Sequence, residues 1–313
     1  MDGTRRKKTL EMLVRKDKEI LSTIGNTPMV QVGNILAKAE FLNPSGSIKD
    51  RIIKYMTQKA EQRGELKPGQ RILELTTGNT GIALSMISAI KGYKFTAVMP
   101  QSTGIERQQI MSLLGASLIL TSAKGAMIEA LAKYNEVVKK YPDAWLPRQF
   151  ENPDNVEENE LILAKEIINQ AKGKIDCFIA SAGTGGTVIG VGLALKKLNP
   201  KIKIAVIEPE ESAVLSGRPP GHHRIHGIGE GFIPKIIEKH RSVLDEIVLI
   251  NSEEAIRKAE ELIKDHGLLV GISSGANILG AERMAKKYKF KNVVTVLPDR
   301  AERYFSEYFP KTT

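Results

Sequence analysis

From residue 71 onward, two kinds of apolar patterning alternate along the chain. Short apolar runs rich in branched residues, RILEL (71–75), KFTAVMP (94–100) and SLILT (117–121), read as strands. Between and after them come segments with helical spacing: TGIALSMISAIKG (80–92), GIERQQIMSLLG (104–115) and residues 125–140. The rhythm returns in IDCFIA (175–180), GTVIGVGLALKKL (186–198) and KIAVIE (203–208). It continues through EIVLI (246–250), SEEAIRKAEELIKDHG (252–267), the stretch 275–287 and NVVTVLP (292–298). Strands alternating with helices need crossover connections, which predict parallel sheets covered on both faces. The elements differ too much among themselves for a solenoid repeat. Two such series predict two α/β domains, with the break near LPRQFENPDN (146–155), a polar stretch with two prolines.

Composition narrows the class. A chain of 313 residues with 42% hydrophobic content can bury a substantial core, so disordered and fibrous readings fall away. Aromatics at 5% argue against a base-stacking surface. The single cysteine, Cys177, allows no internal disulfide and no cysteine zinc cluster. The net charge of +10 is spread along the chain, and its one dense cluster is Arg5, Arg6, Lys7 and Lys8. That pattern predicts a solvated surface and a charged tail, without a nucleic-acid partner. No apolar run is long enough for a bilayer, and residues 1–20 lack the apolar core of a signal peptide. The expectation is a cytoplasmic protein without a membrane partner.

Ligands of such sheets sit beyond the carboxyl ends of the strands, where loops lead into helix N-termini. Three of these loops are unusual. SAGTGGT (181–187) follows a strand and opens a helix. Gly183, Gly185 and Gly186 let backbone amides approach an oxyanion, and the helix dipole favours a phosphate there. Thr184 and Thr187 add hydroxyls. A dinucleotide site is the rival reading, with Glu208 as the acidic ribose partner, but Val188 stands where its third glycine belongs. TTGNTG (76–81) offers hydroxyls, an amide and free backbone N–H groups, a nest for a carboxylate, although a helix cap accounts for part of it. NPSGSIKDR (43–51) forms a turn with Ser47 as cap of a helix beginning near Ile48, which puts Lys49 in the first helical turn. A cation there opposes the helix dipole. Such a lysine is either solvated or has the depressed pKa that a Schiff base requires. A phosphate, a carboxylate and an amine-reactive carbonyl together describe pyridoxal 5'-phosphate with an amino-acid substrate.

NPSGSIKDR, TTGNTGIAL, SAGTGGT, HGIGEGFIP (226–234), GISSGA (271–276) and LPDRAERYF (297–305) follow one another in a fixed order. In that order the chain resembles the cysteine synthase/cystathionine β-synthase family over roughly residues 20–306. The resemblance implies the α/β architecture of fold type II pyridoxal-phosphate enzymes, with two α/β domains of open, mostly parallel twisted sheets and the cofactor in the cleft between them. A smaller, partly mobile domain would span 36–154 and a larger, phosphate-binding one 20–35 plus 155–306. The basic stretch 1–19, with a helix over about 4–20, and residues 307–313 would be tails. A homodimer is the implied assembly.

Family roles carry over to matching positions. Lys49 resembles the Schiff-base lysine that also abstracts the substrate Cα proton. Asn79 looks like the partner of the cofactor's ring hydroxyl. Gly183, Thr184, Gly185, Gly186 and Thr187 look like the phosphate cup, and Ser273 like the serine facing the pyridine nitrogen. Thr76, Thr77, Gly78, Thr80 and Gln149 match the substrate-carboxylate contacts, with Thr77 standing where the family usually has serine. A neutral hydroxyl at Ser273 makes the ring a weaker electron sink than a carboxylate would, which disfavours transamination and leaves β-elimination accessible. Ser273 also suits the N-cap of the helix that follows. The implied reaction is β-replacement on O-acetyl-L-serine or O-phospho-L-serine with sulfide, through an α-aminoacrylate, to give L-cysteine. The alternatives are chemistry directed at serine or cysteine, as in cystathionine β-synthase or a cysteine lyase releasing hydrogen sulfide, a dinucleotide-binding oxidoreductase, and a silent binding module.

Glu230 is the sharpest departure from the family pattern, which often has a small residue there. It either faces solvent or Arg218 and Arg224, or puts a carboxylate near the substrate's β-carbon as a general base for water or a thiol. His222, His223 and His226 lie in a Gly/Pro loop without interleaved carboxylate or thiol, so no metal is expected. Cys177 reads as buried and inert. Residues 94–138 match the segment that closes over substrate in relatives.

Overall fold

A computed structural model describes residues 19–122, 124, 126–172 and 175–308; the basic N-terminal tail lies outside them. Strands β1 (Met29–Val32) and β2 (Ile35–Lys38) form an antiparallel pair. Helix α1 (Lys49–Gln62) follows. Strand β3 (Arg71–Leu75), helix α2 (Asn79–Lys91), strand β4 (Lys94–Pro100), helix α3 (Ile105–Leu113), strand β5 (Ser117–Thr121) and helix α4 (Ala126–Lys140) then alternate as their apolar spacing predicts. β3, β4 and β5 pair in parallel, in that order, as a three-stranded sheet.

After helices α5 (Pro153–Glu158) and α6 (Ala164–Gln170) the second series begins. It runs through β6 (Cys177–Ser181), α7 (Gly186–Leu198), β7 (Lys203–Pro209), α8 (Lys235–Lys239), β8 (Glu246–Ile250), α9 (Ser252–His266), α10 (Ile272–Tyr288) and β9 (Val293–Val296). These strands join β1 and β2 in a six-stranded sheet of order β1-β2-β9-β6-β7-β8, parallel except for the first pair. Phe178, Ile179, Ile204, Val206 and Ile207 are fully buried. A sheet covered on both faces shields alternate side chains equally, so its strands read as unbroken apolar runs.

One pairing decides where the site forms. β9 inserts between β2 and β6, with Ile35 opposite Val293. The segment after β9 therefore runs beside the loop that leads into α1, and Ser47 bridges Asp299. Ile48 N donates to Pro298 O at 2.8 Å. A buried charge network fixes α1 as well. Arg51 donates to Glu40 Oε2 at 2.6 Å and to Glu166 Oε2 at 2.7 Å, and Lys38 Nζ lies 2.8 Å from the same Glu166 oxygen. Buried charges demand such complete pairing, and here it ties the start of α1 to the large sheet.

Residues Asn159–Leu163 form a π turn between α5 and α6. α7 packs closely against α5, since a Cβ on Gly190 would stand 2.6 Å from Val156 O. β1 and β2, four residues each, are too short to show alternation.

Candidate active site

Lys49 is the first residue of α1, and its side chain enters a cavity of about 630 Å³. The N-cap is Ile48 rather than Ser47, which corrects the expected cap; Ser47 Oγ, one residue earlier, accepts from Lys49 N at 3.3 Å. The preceding turn is held by Arg303, which donates to the carbonyls of Ser45 and Gly46, and by Asp50, which accepts from Ser45 N at 2.7 Å. Burial holds the Lys49 amine below the ordinary lysine range, against the opposing pull of the Asp299 and Glu230 carboxylates. A lysine placed this way keeps more of its neutral, nucleophilic form near neutrality.

The TTGNTG loop leads from β3 into α2 and divides its polar groups between two tasks. Thr76 Oγ1 accepts from Gly78 N at 3.3 Å and Gly81 N at 3.1 Å, so this hydroxyl caps the helix. Thr80 Oγ1 donates to Gln149 Oε1 at 2.5 Å, which leaves the amide nitrogen of Gln149 as a donor. Asn79 Nδ2 donates to Asp299 Oδ2 at 2.6 Å, while Asn79 Oδ1 is buried without a partner. Gly78 is tightly packed, since a Cβ there would meet Arg107 Cδ at 2.9 Å.

The SAGTGGT loop lies between β6 and α7. Gly185 has φ 82°, and a Cβ there would meet Ile237 Cγ1 at 2.3 Å. A Cβ on Gly183 would meet Gly227 O at 2.3 Å, and one on Gly186 would meet Asn155 Oδ1 at 2.0 Å. A Cβ at any of these three positions would collide with its neighbours, so the loop packs closely against Ile237, Asn155 and Gly227. Thr184 Oγ1 accepts from Gly186 N at 3.3 Å and from Asn155 Nδ2 at 3.0 Å. Asn155 Nδ2 also donates to Gln149 O at 2.8 Å, joining the glycine loop to the Thr80–Gln149 pair. Gly229 N donates to Ala182 O at 3.1 Å, which seats the HGIGEG loop against the glycine loop.

The cavity brings together Lys49, Thr76, Thr77, Gly78, Asn79, Thr80, Gln149, Gly183, Thr184, Thr187, Glu230 and Ser273. Gly185 and Gly186 stand behind this lining, against Ile237 and Asn155. Two expectations are corrected. Ser273 lies inside α10, and Gly271 occupies its N-cap, so the capping role is not filled by Ser273. Glu230 does not pair with Arg218 or Arg224, because Arg224 donates instead to Glu253 at 2.6 Å and Arg218 is exposed. Glu230 lines the cavity, where burial raises its carboxyl to about 6 against the pull of Lys49 and Arg107.

Asn155, Arg107 and Glu74 come from segments whose patterning reads only as helix, strand or turn, whereas Asp299 and Tyr304 lie in the LPDRAERYF motif without a role read for either. Burial raises Glu74 to about 8, and this carboxyl accepts from Arg148 N at 3.0 Å. His226 stacks on Tyr304 with ring centroids 5.6 Å apart, so its ring packs against an aromatic neighbour. His223 Nε2 contacts Gly229 O at 2.9 Å, and among the described residues no group of three His, Cys, Asp or Glu could hold a metal. Glu208 Oε2 accepts from Leu215 N at 2.8 Å, which commits it to its own loop rather than to a ribose. Cys177 is fully buried, and burial pushes its thiol up to about 12.

The residues present fit pyridoxal phosphate. The glycine loop excludes side chains where a phosphate needs bare amides. A lysine of lowered pKa lines one cavity of cofactor size together with the Asn79 loop and Ser273.

Comparison with known proteins agrees with this geometry. The sequence profile of the pyridoxal-phosphate dependent enzymes matches residues 20–299. A cysteine synthase of Staphylococcus aureus (strain Mu50 / ATCC 700699) is 44% identical over 297 residues, covering 92% of this chain and 95% of the relative. The crystal structure of O-acetyl serine sulfhydrylase isoform 3 from Entamoeba histolytica superposes with a TM-score of 0.88 at 42% identity, covering 94% of this chain and 92% of that one. An O-acetylserine dependent cystathionine beta-synthase from Helicobacter pylori superposes with a TM-score of 0.87 at 38% identity, covering 92% and 97%.

Proposed function

Since the chain belongs to the pyridoxal-phosphate dependent enzyme family, we propose that it carries out β-replacement on an activated L-serine with sulfide, giving L-cysteine. The observation that carries this reading is the meeting of Lys49, the Asn79 loop, the glycine loop and Ser273 around one cavity.

Pyridoxal phosphate, when bound, supplies an aldehyde that condenses with an amine and a ring that withdraws electrons from the substrate's Cα. Gly183, Thr184, Gly185, Gly186 and Thr187 hold its phosphate with backbone N–H groups and hydroxyls at the start of α7. Ser273 would meet the ring nitrogen with a neutral hydroxyl rather than a carboxylate. Lys49 would anchor the aldehyde, and its Nζ would take the Cα proton of the substrate. The β-substituent then leaves with its electron pair. Sulfide bonds to Cβ, and the proton held on Lys49 Nζ returns to Cα. Thr77, the amides around Gly78 and Asn79, and the Gln149 amide nitrogen orient the substrate carboxylate. Thr76 and Thr80 act through that loop, the first as its cap and the second as the hydroxyl that aims Gln149.

The direct test supplies the purified enzyme with sulfide and, in turn, O-acetyl-L-serine, O-phospho-L-serine, L-serine and L-cysteine. Cysteine formed from one of the first two supports the reading. Turnover of serine or cysteine alone overturns the choice of donor. Glu230 favours a second reading, in which water or an organic thiol adds in place of sulfide, because its carboxylate lines the same cavity as Lys49 and could deprotonate such a nucleophile.

The same proposal includes a cytoplasmic homodimer and a smaller, partly mobile domain over 36–154 that closes on a larger one. Among the described residues no helix is long and apolar enough to cross a membrane.

A further inference from the structure

Glu230, in the HGIGEGFIP loop, is half-buried and lines the Lys49 cavity. Among the described residues its carboxylate makes no hydrogen bond or ion pair. Four Lys and Arg side chains line the same cavity, and each has another task. Lys49 is the amine that the cofactor's aldehyde takes. Arg107 lies over the Tyr304 ring at 5.1 Å and packs on the TTGNTG loop, since a Cβ on Gly78 would meet its Cδ at 2.9 Å. Arg148 lies 3.6 Å from Glu151, and Lys235 pairs with the same carboxylate. The lining histidine, His226, stacks on Tyr304. Of the other acids in this lining, Glu151 is thus paired, and Glu74 accepts from Arg148 N at 3.0 Å with burial raising it to about 8. Above about pH 6, Glu230 therefore leaves a negative charge in the cavity without a direct partner.

O-acetyl-L-serine and O-phospho-L-serine differ in the charge carried beyond Cβ. The acetyl ester is neutral, whereas a phosphate monoester carries a charge of about −1.5 to −2 near neutral pH. Both donors need their α-carboxylate met, and that falls to the TTGNTG loop, against which Arg107 packs. Glu230 belongs to another side of the site, beside the glycine loop, where Gly229 N donates to Ala182 O at 3.1 Å. The family resemblance implies that the β-substituent lies near this loop. A phosphate there meets a like charge. Arg218 is exposed and Arg224 is bonded to Glu253 at 2.6 Å, so neither offsets it. Like charges brought together in a half-buried site are costly, and specificity is built from such repulsions as well as from attractions. We propose that Glu230 is a specificity-determining residue that turns away a phosphorylated donor and admits the neutral acetyl ester. The inference rests on the proposed function and chooses between the two donors named there.

Glu230→Gln tests it, since the amide keeps the shape and removes the charge. The holoenzyme is used at about pH 8, where the carboxylate and the phosphate are both ionised. Stopped-flow spectra of the first half-reaction, loss of the β-substituent, give a rate for each donor. The parent should favour O-acetyl-L-serine. The variant should raise the phospho-to-acetyl rate ratio by about tenfold, since a like-charge contact in a half-buried site exceeds a surface pair and falls short of a fully buried one. Binding supplies a readout apart from turnover. The probes are 2-amino-4-phosphonobutanoate, whose carbon link cannot leave, and L-methionine, a neutral amino acid of similar length. The variant should tighten the phosphonate relative to methionine by a similar factor. A parent that prefers O-phospho-L-serine, a rate ratio equal in the two proteins, or an unchanged relative affinity would each overturn the inference and leave the proposed function standing. A parent that makes cysteine from neither donor would overturn the proposed function instead.

Discussion

Thr80 and Gln149 are separated by 69 residues, yet the threonine hydroxyl donates to the glutamine Oε1 at 2.5 Å. The first opens a helix of the small sheet's series and the second lies in the connection that leads to the large sheet. Their bond spends the acceptor of Gln149 and keeps its nitrogen as the donor toward a carboxylate. Gln149→Ala should raise KM for the amino-acid substrate by about 10- to 100-fold, the range for a hydrogen bond to a charged group, with a smaller change in kcat. Steady-state kinetics check this, and an unchanged KM would remove Gln149 from the substrate contacts.

Lys49→Ala should abolish covalent attachment of the cofactor and lower turnover by about 10²- to 10⁴-fold, the usual range for a lost proton carrier, or more. Borohydride reduction followed by peptide mass analysis should find the label on Lys49 in the parent and on no lysine in the variant. A fully active variant labelled at another lysine would reassign the anchor.

Gly185→Asp should expel the cofactor. The position has φ 82° and a Cβ would press on Ile237 Cγ1 at 2.3 Å, so the glycine loop that would hold the phosphate must shift. Occupancy after dialysis, read from the cofactor's absorbance, should fall well below the parent's. Equal occupancy would move the phosphate elsewhere.

Glu230→Gln should slow addition of water or a thiol more than loss of the β-substituent. Burial raises this carboxyl to about 6, so below that pH it is mostly protonated and cannot act as a base. In the parent the addition half should therefore weaken as pH falls through about 6, and the glutamine variant should lack that acid limb. Stopped-flow spectra across pH separate the two halves. Equal slowing of both places Glu230 outside the chemistry.

Binding of an unreactive amino acid should slow amide exchange over residues 94–138. The contacts for such a closure are present: Glu106 Oε1 accepts from Ser306 N at 2.7 Å, and Arg107 lies over Tyr304. Closing excludes water from the reacting carbon. Identical exchange with and without the amino acid would count against a moving segment.

How much of this was legible in the chain follows from the range of each signal. The strands RILEL and IDCFIA, the helices after them and the glycine loop all announce themselves locally, because burial period and freedom at φ act within a few residues. That sufficed for the α/β class and put the glycine loop and Lys49 among the candidates. What the tertiary structure alone decided is which polar atoms meet. Asp299 reaches Asn79 because β9 inserts beside β2, Asn155 ties Thr184 to Gln149 across two loops, and Glu230 faces Lys49 and Arg107 rather than Arg224. Such pairings join segments up to 220 residues apart, and no local pattern of residues records them, because hydrogen bonds depend on distance in space and not on position along the chain.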